Sequence, residues 1–325
     1  MTKHGFMPTV VVAGLLALGM GACGSDDNSN SGGGTSSQSD AALQGKIAID
    51  GSSTVFPFAE AAAELFNEEN PDVRITVGQS GTGGGFEKFC AGETDISDAS
   101  RPIKPDEEAP VCKKAGVAYG EVQIANDGIA VVTNSSMKVD CLTTDQLKQV
   151  WNKGSKVSSL KQVDSSLPGT KLSLYGPGTD SGTFDFFTGE INGEEGVTRE
   201  DYEASEDDNQ LVTGVSGDEG GFGYFGFSYY EAAADSLNLV GVDSGDGNCV
   251  KPSVETIQDG SYKPLSRPLF MYPKADAVTR PEVKAFLDYT VENAAAIAEA
   301  AKIVPLTEEQ VGTAQEELQT AESGS

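Results

Sequence analysis

Histidine is almost missing from this sequence. Among 325 residues there is one, His4, and it lies in residues 1–22, which we expect to be removed as an export signal. Catalysis by a Ser-His-Asp or Cys-His arrangement needs an imidazole, so neither is expected in the mature chain. The usual ligand sets of zinc are missing too. The sequence therefore predicts neither an enzyme nor a metalloprotein, and it implies no cofactor.

Positive charge is also scarce. Lys and Arg number 22 against 50 Asp and Glu, which gives a formal net charge of −28. Nucleic acid is excluded as a partner, because the phosphate backbone selects clustered Lys and Arg. An acidic surface keeps a protein soluble. With 38% hydrophobic residues the composition is globular, and the length is enough for about two domains.

The N-terminal apolar run is short. "FMPTVVVAGLLALGM" (6–20) follows Lys3 and is too short to span a bilayer comfortably, which indicates an export signal over residues 1–22. Small residues before Cys23 resemble a bacterial lipoprotein signal, in which the cysteine after the cleavage site becomes lipidated. Met20 stands where leucine is usual, and an ordinary signal that happens to contain a cysteine is the alternative. Residues 23–44, rich in Ser, Gly, Asn and Asp, predict a flexible tether.

Four further cysteines are present, an even count in a chain that we expect to be exported. Such a count predicts two disulfides, and three pairings are possible. We favour Cys90–Cys112, which closes a short loop, together with Cys141–Cys249. A metal site made of four thiolates is a weak alternative, because no CxxC spacing occurs.

Strand and helix patterns alternate along the folded region. "KIAID" (46–50) and "VRITVGQS" (73–80) are typical of strands, with a helical pattern between them that ends at Pro71. This alternation predicts an α/β protein with a parallel sheet. We expect "GTGGG" (81–85) to be a loop and the acidic stretch 307–321 to be an exposed final helix.

Three turns that share one chemistry lead from a strand into a helix: "DGSSTVF" (50–56), "GQSGTGGGF" (78–86) and "GPGTDSGTF" (176–184). Glycine lets the backbone approach a ligand closely. The first turn of a helix has free N–H groups and a partial positive charge, which suits an anion. Each turn alone could be an ordinary Ser/Thr helix cap, but three in one chain indicate a binding site.

A fourth segment, "DISDASRPI" (95–103), adds charged groups. Arg101 could offer a planar fork to an oxyanion. Asp98 would repel an anion, unless the anion carries a proton that Asp98 can accept. Hydrogen phosphate has such a proton and sulfate at neutral pH does not, so Asp98 would reject sulfate. A strand-end cap or a surface acid is the alternative for Asp98.

These turns, together with "DISDASRPI", "GIAVV" and "PLSRPLF", resemble the PstS family, the substrate-binding proteins of the bacterial phosphate ABC importer. The resemblance covers about residues 45–305. It implies a type II periplasmic-binding-protein fold, α/β, with the ligand cleft between two lobes joined by two crossover strands. Lobe 1 would comprise 45–130 and 272–325, and lobe 2 would comprise 131–271.

The resemblance also implies a function and a ligand set. The protein would bind phosphate outside the cytoplasmic membrane, held there by a lipid on Cys23, and deliver it to the membrane permease; we expect a monomer. Some members carry an arginine where Pro177 stands, and our candidate to replace it is Arg101. The expected phosphate-binding residues are Ser53, Thr54, Val55, Ser80, Asp98, Arg101, Ser181, Gly182 and Thr183.

Other functions stay open at this point. Ser181 reads as part of the anion site and not as a nucleophile, because Thr179 stands where a GxSxG turn needs glycine. A hydrolase that uses Ser181 is nevertheless one alternative. A binding protein for sulfate or molybdate is a second, and an exported adhesion or signalling protein on the same fold is a third.

Overall fold

The computed structural model describes residues 42–323. The expected export signal, Cys23 and nearly all of the expected tether lie outside these residues. From Ala42 onward the chain forms one compact unit. Within residues 42–323 we find no helix that has both the length and the apolar character needed to cross a membrane.

The strands of the described chain are mostly short and buried. They are β1 (Gly45–Gly51), β2 (Val73–Gln79), β3 (Ile96–Ala99), β4 (Val122–Asn134), β5 (Cys141–Thr143), β6 (Ser173–Pro177), β7 (Glu203–Ser205), β8 (Gly221–Gly226), β9 (Leu237–Asp243), β10 (Cys249–Val250) and β11 (Ser266–Pro273).

The helices lie between these strands or follow them. They are α1 (Phe56–Glu69), α2 (Gly81–Cys90), α3 (Glu108–Ala115), α4 (Thr144–Trp151), α5 (Gly182–Phe187), α6 (Asp208–Gly217), α7 (Phe227–Ala232), α8 (Val254–Gln258), α9 (Pro281–Glu292), α10 (Ala294–Ala300) and α11 (Glu308–Ser323). One π-helical turn, Thr188–Asn192, continues α5.

Two sheets share the long strand β4. In the first the order is β2-β1-β3-β11-β4, with β11 antiparallel to both neighbours. In the second the order is β7-β6-β8-β4-β9, with β4 antiparallel to both neighbours. The first half of β4 pairs with β11, and its second half pairs with β8 and β9. Strand β4 therefore carries the chain from the first lobe into the second, and β11 brings it back.

Each sheet has its own hydrophobic core. One core consists of buried residues between Ile47 and Ala125 and between Leu269 and Leu318. The other consists mainly of buried residues between Ile129 and Leu265 and includes Trp151, Phe186 and Phe187. The two-lobed α/β fold predicted from the sequence is confirmed. The lobe boundaries given above stay a prediction.

Both favoured disulfides are present. Cys90 bonds to Cys112, and Cys141 bonds to Cys249. The first joins α2 to α3 beside a small apolar cluster that includes Phe86 and Tyr272. The second ties β5 to β10, and both of these strands pair with β9.

Two expectations about helices are wrong. The glycines of 81–85 do not form a loop but make up the first turn and a half of α2. Gly85 packs against β1 there, and a Cβ on it would lie 2.5 Å from the Gly51 Cα. The final helix α11 is not exposed along its whole surface, because Ala314 and Leu318 are buried against the first core.

Candidate functional site

A cleft between the lobes contains parts of the three turns. Its volume is about 680 Å³. It is lined by hydroxyl and glycine residues from the turns and by two Ser-Arg-Pro segments, 100–102 and 266–268. A smaller cavity of about 310 Å³ lies beside it and shares Ser53, Thr54 and Gly182 with it. The carboxyl ends of parallel strands β1, β2, β3 and β6 lead into this region, where open α/β sheets bind ligands.

Thr54 and Gly182 meet where the two lobes approach each other. A Cβ on Gly182 would overlap the Thr54 Oγ1 and would lie 2.5 Å from the Thr54 nitrogen. Only glycine fits this approach. A second link between the lobes is the hydrogen bond that the Gln79 Nε2 donates to the Asp180 carbonyl, at 3.2 Å.

Arg267 lies at the same meeting point. Its Nη2 donates to the Thr54 Oγ1 at 2.7 Å and to the Gly182 carbonyl at 3.2 Å. Its Nε pairs with the Asp127 Oδ2 at 3.2 Å, and its Cζ lies 3.8 Å from the centre of the Phe186 ring. Burial lowers the pKa of Arg267, and Asp127 counteracts this shift. One guanidinium thus connects both lobes and the crossing strand β4.

Arg101, the arginine that sequence reasoning selected, is held differently. It lines the cleft, but its Nη1 and Nη2 bind the Glu108 carboxylate at 2.9 and 2.6 Å. The hydrogen bond to Glu108 raises the pKa of Arg101. Its fork is therefore occupied by a protein carboxylate. Arg267 was missed as a candidate, although the second Ser-Arg-Pro could have pointed to it.

Asp98 is enclosed behind the turn that contains Thr54. It is 0% exposed, and its carbonyl accepts the Ser52 N–H at 3.0 Å. Neither carboxyl oxygen has a hydrogen-bond partner among residues 42–323. Burial raises the pKa of Asp98 well above its usual range, and the nearby charge of Asp50 raises it further. A buried carboxyl without partners is costly, so this position requires an explanation beyond packing.

Two serines at helix starts behave in opposite ways. Ser181 caps α5, because its Oγ accepts the Thr183 N–H at 3.2 Å. Ser80 precedes α2, but its side chain makes no cap bond. Instead the Ser80 Oγ donates to the Asp50 Oδ1, and the Lys88 Nζ lies 2.6 Å from the Asp50 Oδ2.

The nine predicted residues fall into three groups. Ser53, Thr54, Ser80, Arg101 and Gly182 line the larger cleft. Ser181 and Thr183 line the smaller cavity. Val55 and Asp98 line neither and are buried at 0% exposure. All three groups meet around the Ser52–Thr54 turn.

Carboxylates form part of the opposite wall of the larger cleft. Asp185 and Glu190 both line it. Burial raises the pKa of each, and the positive charge of Arg267 counteracts the shift. An anion in this cleft therefore needs specific donors, because its surroundings are acidic. Hydroxyls, helix starts and one cation at the meeting point of the lobes can provide them, an arrangement suited to holding a small oxyanion.

Comparison with known proteins agrees with this fold. A model of the PBP superfamily domain matches residues 36–294, so the chain belongs to the PBP superfamily. It is 45% identical over 271 residues to Protein SphX of Synechococcus elongatus, covering 83% of this chain and 80% of that protein. It is 41% identical over 268 residues to the phosphate-binding protein PstS of Staphylococcus saprophyticus, covering 82% and 78%.

A solved structure is similar over nearly the whole described chain. A possible phosphate-binding protein from Planctomyces limnophilus matches with a TM-score of 0.81 and 42% identity, covering 86% of this chain and 99% of that one. The resemblance to the PstS family is therefore confirmed, and so is the periplasmic-binding-protein fold.

Proposed function

We propose that this protein binds inorganic phosphate in the cleft between its lobes and delivers it to an ABC permease. Its similarity to the PstS of Staphylococcus saprophyticus, named as a phosphate-binding protein, supports the ligand. The donors around Thr54, Gly182 and Arg267 support an oxyanion site. A tetrahedral oxyanion at this point would contact both lobes at once, which is how ligands close two-lobed proteins.

The observation that carries the choice of phosphate is the Asp98 carboxyl. It is fully buried and has no partner among residues 42–323. A ligand O–H would supply the missing hydrogen bond, and hydrogen phosphate has one. Sulfate has none at neutral pH, so it could bind only if Asp98 itself first took up the proton that hydrogen phosphate brings with it. Asp98 thus favours phosphate over sulfate.

We assign the remaining contacts as follows. Thr54 and the Val55 N–H, Ser80, Ser181, the Gly182 N–H and Thr183 surround the anion, with Ser53 beside them. Arg267 supplies the positive charge that some family members obtain from an arginine at the position of Pro177. It replaces Arg101 in this role, because Glu108 already occupies the fork of Arg101.

The location of the protein forms part of the proposal. Residues 1–22 direct export, and the lipid on Cys23 holds the protein at the outer face of the cytoplasmic membrane, as a monomer on a tether. Labelling of Cys23 by a radioactive fatty acid, and its loss in Cys23→Ala, would test the anchor. Release of the unmodified protein from wild-type cells would contradict it.

The function is tested by titration calorimetry on the chain from residue 24 onward, unfolded and refolded to strip bound ligand. We expect phosphate to bind and sulfate to give no signal. Tight sulfate binding would instead favour the alternative that the protein binds other oxyanions. Binding of neither anion would favour an adhesion or signalling role.

The variant Asp98→Asn tests the specific argument. We expect phosphate affinity to fall by about tenfold or more, the effect of losing a hydrogen bond to a charged group, and sulfate affinity to rise relative to phosphate. Asp72→Asn is the matched control, because Asp72 is exposed at the start of β2, at the opposite end of the strand from the cleft. If Asp98→Asn behaves like this control, Asp98 does not select the ligand.

A further inference from the structure

Lys302 has a backbone conformation that lysine rarely adopts. Its φ is 57°, and within residues 42–323 it is the only residue other than glycine with a positive φ. The left-handed region is costly for a residue that has a Cβ, and glycine is the usual choice just after a helix. Residues held in this way cluster at functional sites, where the surrounding structure fixes them. This position therefore calls for a reason to have a side chain.

Hydrogen bonds on both sides fix the backbone of Lys302. Its N–H donates to the Glu299 carbonyl of α10 at 3.2 Å, and the Ile303 N–H also donates to a carbonyl of α10, at 2.9 Å. Directly afterwards Val304 and Asn126 of β4 exchange two backbone hydrogen bonds, at 2.8 and 3.0 Å. The backbone is thus held between α10 and the strand that connects the lobes, while the side chain of Lys302 is exposed.

The smaller cavity gives that side chain a setting between the lobes. Lys302 lines it together with Ala301 and Ile303, and Ile303 belongs to the first core. Lys302 is the only lysine or arginine among the residues that line this cavity. The second sheet contributes three carboxylates to the opposite wall, one after β6, one after β7 and one at the start of α6: Asp180, Glu206 and Asp208.

Neither Lys302 nor any of these three carboxylates has an ion-pair partner in the described part of the chain. Backbone groups of the second lobe hold two of the carboxylates in place. The Glu206 Oε1 accepts the Asp180 N–H at 3.3 Å, and the Asp208 Oδ2 accepts a backbone N–H of β8 at 3.4 Å. A fourth carboxylate at the cavity, Asp127, is already paired with an arginine. One cation of the first lobe therefore lies across the cavity from three carboxylates of the second.

We propose that Lys302 is a positioning residue for phosphate binding: its ammonium attracts the three carboxylates across the smaller cavity and so favours closure of the lobes. The inference rests on the proposed function and deepens it, because a ligand that contacts both lobes binds more tightly when closure is favoured. Exposed charges are screened by water and salt, so the effect on affinity is moderate. The need for an ammonium at the cavity wall explains why lysine stands where glycine would be less strained.

Three variants separate the charge of Lys302 from its backbone. Lys302→Gln removes the ammonium and keeps the strained conformation, Lys302→Gly removes both, and Lys302→Arg keeps the charge. By calorimetry at low salt we expect the Gln and Gly variants to bind phosphate about threefold more weakly, within the range of exposed ion pairs, and the Arg variant to match wild type. A loss confined to Lys302→Gly would assign the effect to the backbone and overturn the proposal.

Thermal unfolding without phosphate gives an independent readout. Glycine relieves the left-handed strain, which outweighs its greater entropy in the unfolded chain. Lys302→Gly should therefore unfold about 2 °C above Lys302→Gln. The glycine variant would then be the more stable of the two while it binds phosphate as weakly as the Gln variant. A merely structural role for Lys302 would instead make affinity and stability change together.

The carboxylates are tested by a double-mutant cycle. The background is Asp180→Asn/Glu206→Gln, in which the Gln oxygen can still accept the Asp180 N–H. There Lys302→Gln should weaken phosphate binding by less than in the wild-type background, because two of its three partners are gone. An undiminished loss would mean that Lys302 attracts phosphate directly, and it would overturn the proposal. Should this background fail to fold, the exposed Asp180→Asn alone replaces it.

Lys114→Gln is the matched control for the loss of one positive charge. Lys114 is exposed on α3 and lines neither the cleft nor the smaller cavity, so its removal should leave phosphate affinity unchanged. If Lys302→Gln behaves like this control in a wild type that binds phosphate, only the role of Lys302 is wrong. If wild type binds no phosphate, the proposed function itself is wrong.

Discussion

Two arginines reach the cleft from similar Ser-Arg-Pro segments, and their partners separate their roles. Arg101 gives its fork to Glu108 on α3. Arg267 divides its donors between Thr54 of one lobe, Gly182 of the other and Asp127 on β4. A guanidinium that bridges the lobes can respond to a ligand, whereas one bound to its own lobe is mainly structural.

This difference predicts unequal effects of substitution. Arg267→Met should lower phosphate affinity by about a hundredfold, because it removes charge-assisted hydrogen bonds at a buried position. Arg267→Lys should be intermediate, since an ammonium keeps the charge but not the fork. Arg101→Met, the matched control, should change affinity by less than about threefold, as expected of a partly exposed ion pair.

Calorimetry with phosphate checks these three variants, and thermal unfolding shows whether each one folds. A larger loss in Arg101→Met than in Arg267→Met would restore Arg101 as the cationic ligand.

At the scale of elements, local pattern located most strands and helices but not all of their ends. The first turn of α2 is a run of glycines, which local propensity assigns to a loop. It is helical because Gly85 has to pack against Gly51. The cap of α4 is Thr143, which forms a reciprocal pair of hydrogen bonds with Gln146.

The two disulfides should contribute unequally to stability. Cys141–Cys249 spans 108 residues and Cys90–Cys112 spans 22. In the chain-entropy model the disulfide that closes the longer loop stabilises the folded state by about 5 kcal/mol, and the one that closes the shorter loop by about 3 kcal/mol. We expect Cys141→Ala/Cys249→Ala to lower the free energy of unfolding more than Cys90→Ala/Cys112→Ala.

Urea unfolding of each double variant, with wild type as reference, measures the difference. The opposite order would mean that packing around α2 and α3 outweighs loop closure. Phosphate affinity should change little in either variant, because neither disulfide lies among the residues that line the cleft.

For the whole molecule, the contact between Thr54 and Gly182 determines how closely the lobes approach. Gly182→Ala would place a methyl group against the Thr54 Oγ1 and backbone. Overpacking of this kind costs about 1–3 kcal/mol, so phosphate affinity should fall by about fivefold or more. The effect arises because the lobes can no longer close completely.

Small-angle scattering distinguishes this mechanism from the loss of a ligand contact. Phosphate should reduce the radius of gyration of wild type, and saturating phosphate should reduce it less in Gly182→Ala. Gly83→Ala is the matched control, because a Cβ at Gly83 would meet no atom within 4 Å, and we expect the lobes of this variant to close normally. Gly81→Ala is unsuitable, since Gly81 has a positive φ of 76°. Equal compaction of Gly182→Ala and wild type would contradict the mechanism.

The sequence by itself determined the class of this protein. Strand and helix periodicity, the three turns, Asp98 and the cysteine count were sufficient to predict an α/β binding protein with two disulfides, because these features depend on local pattern and on residue chemistry. Only the tertiary structure decided which arginine joins the two lobes, which glycine the lobes require, and which carboxylate accepts the proton of Ser80. Those depend on contacts between residues far apart in the chain, such as Arg267 with Thr54 and Ser80 with Asp50, and no local pattern specifies such contacts.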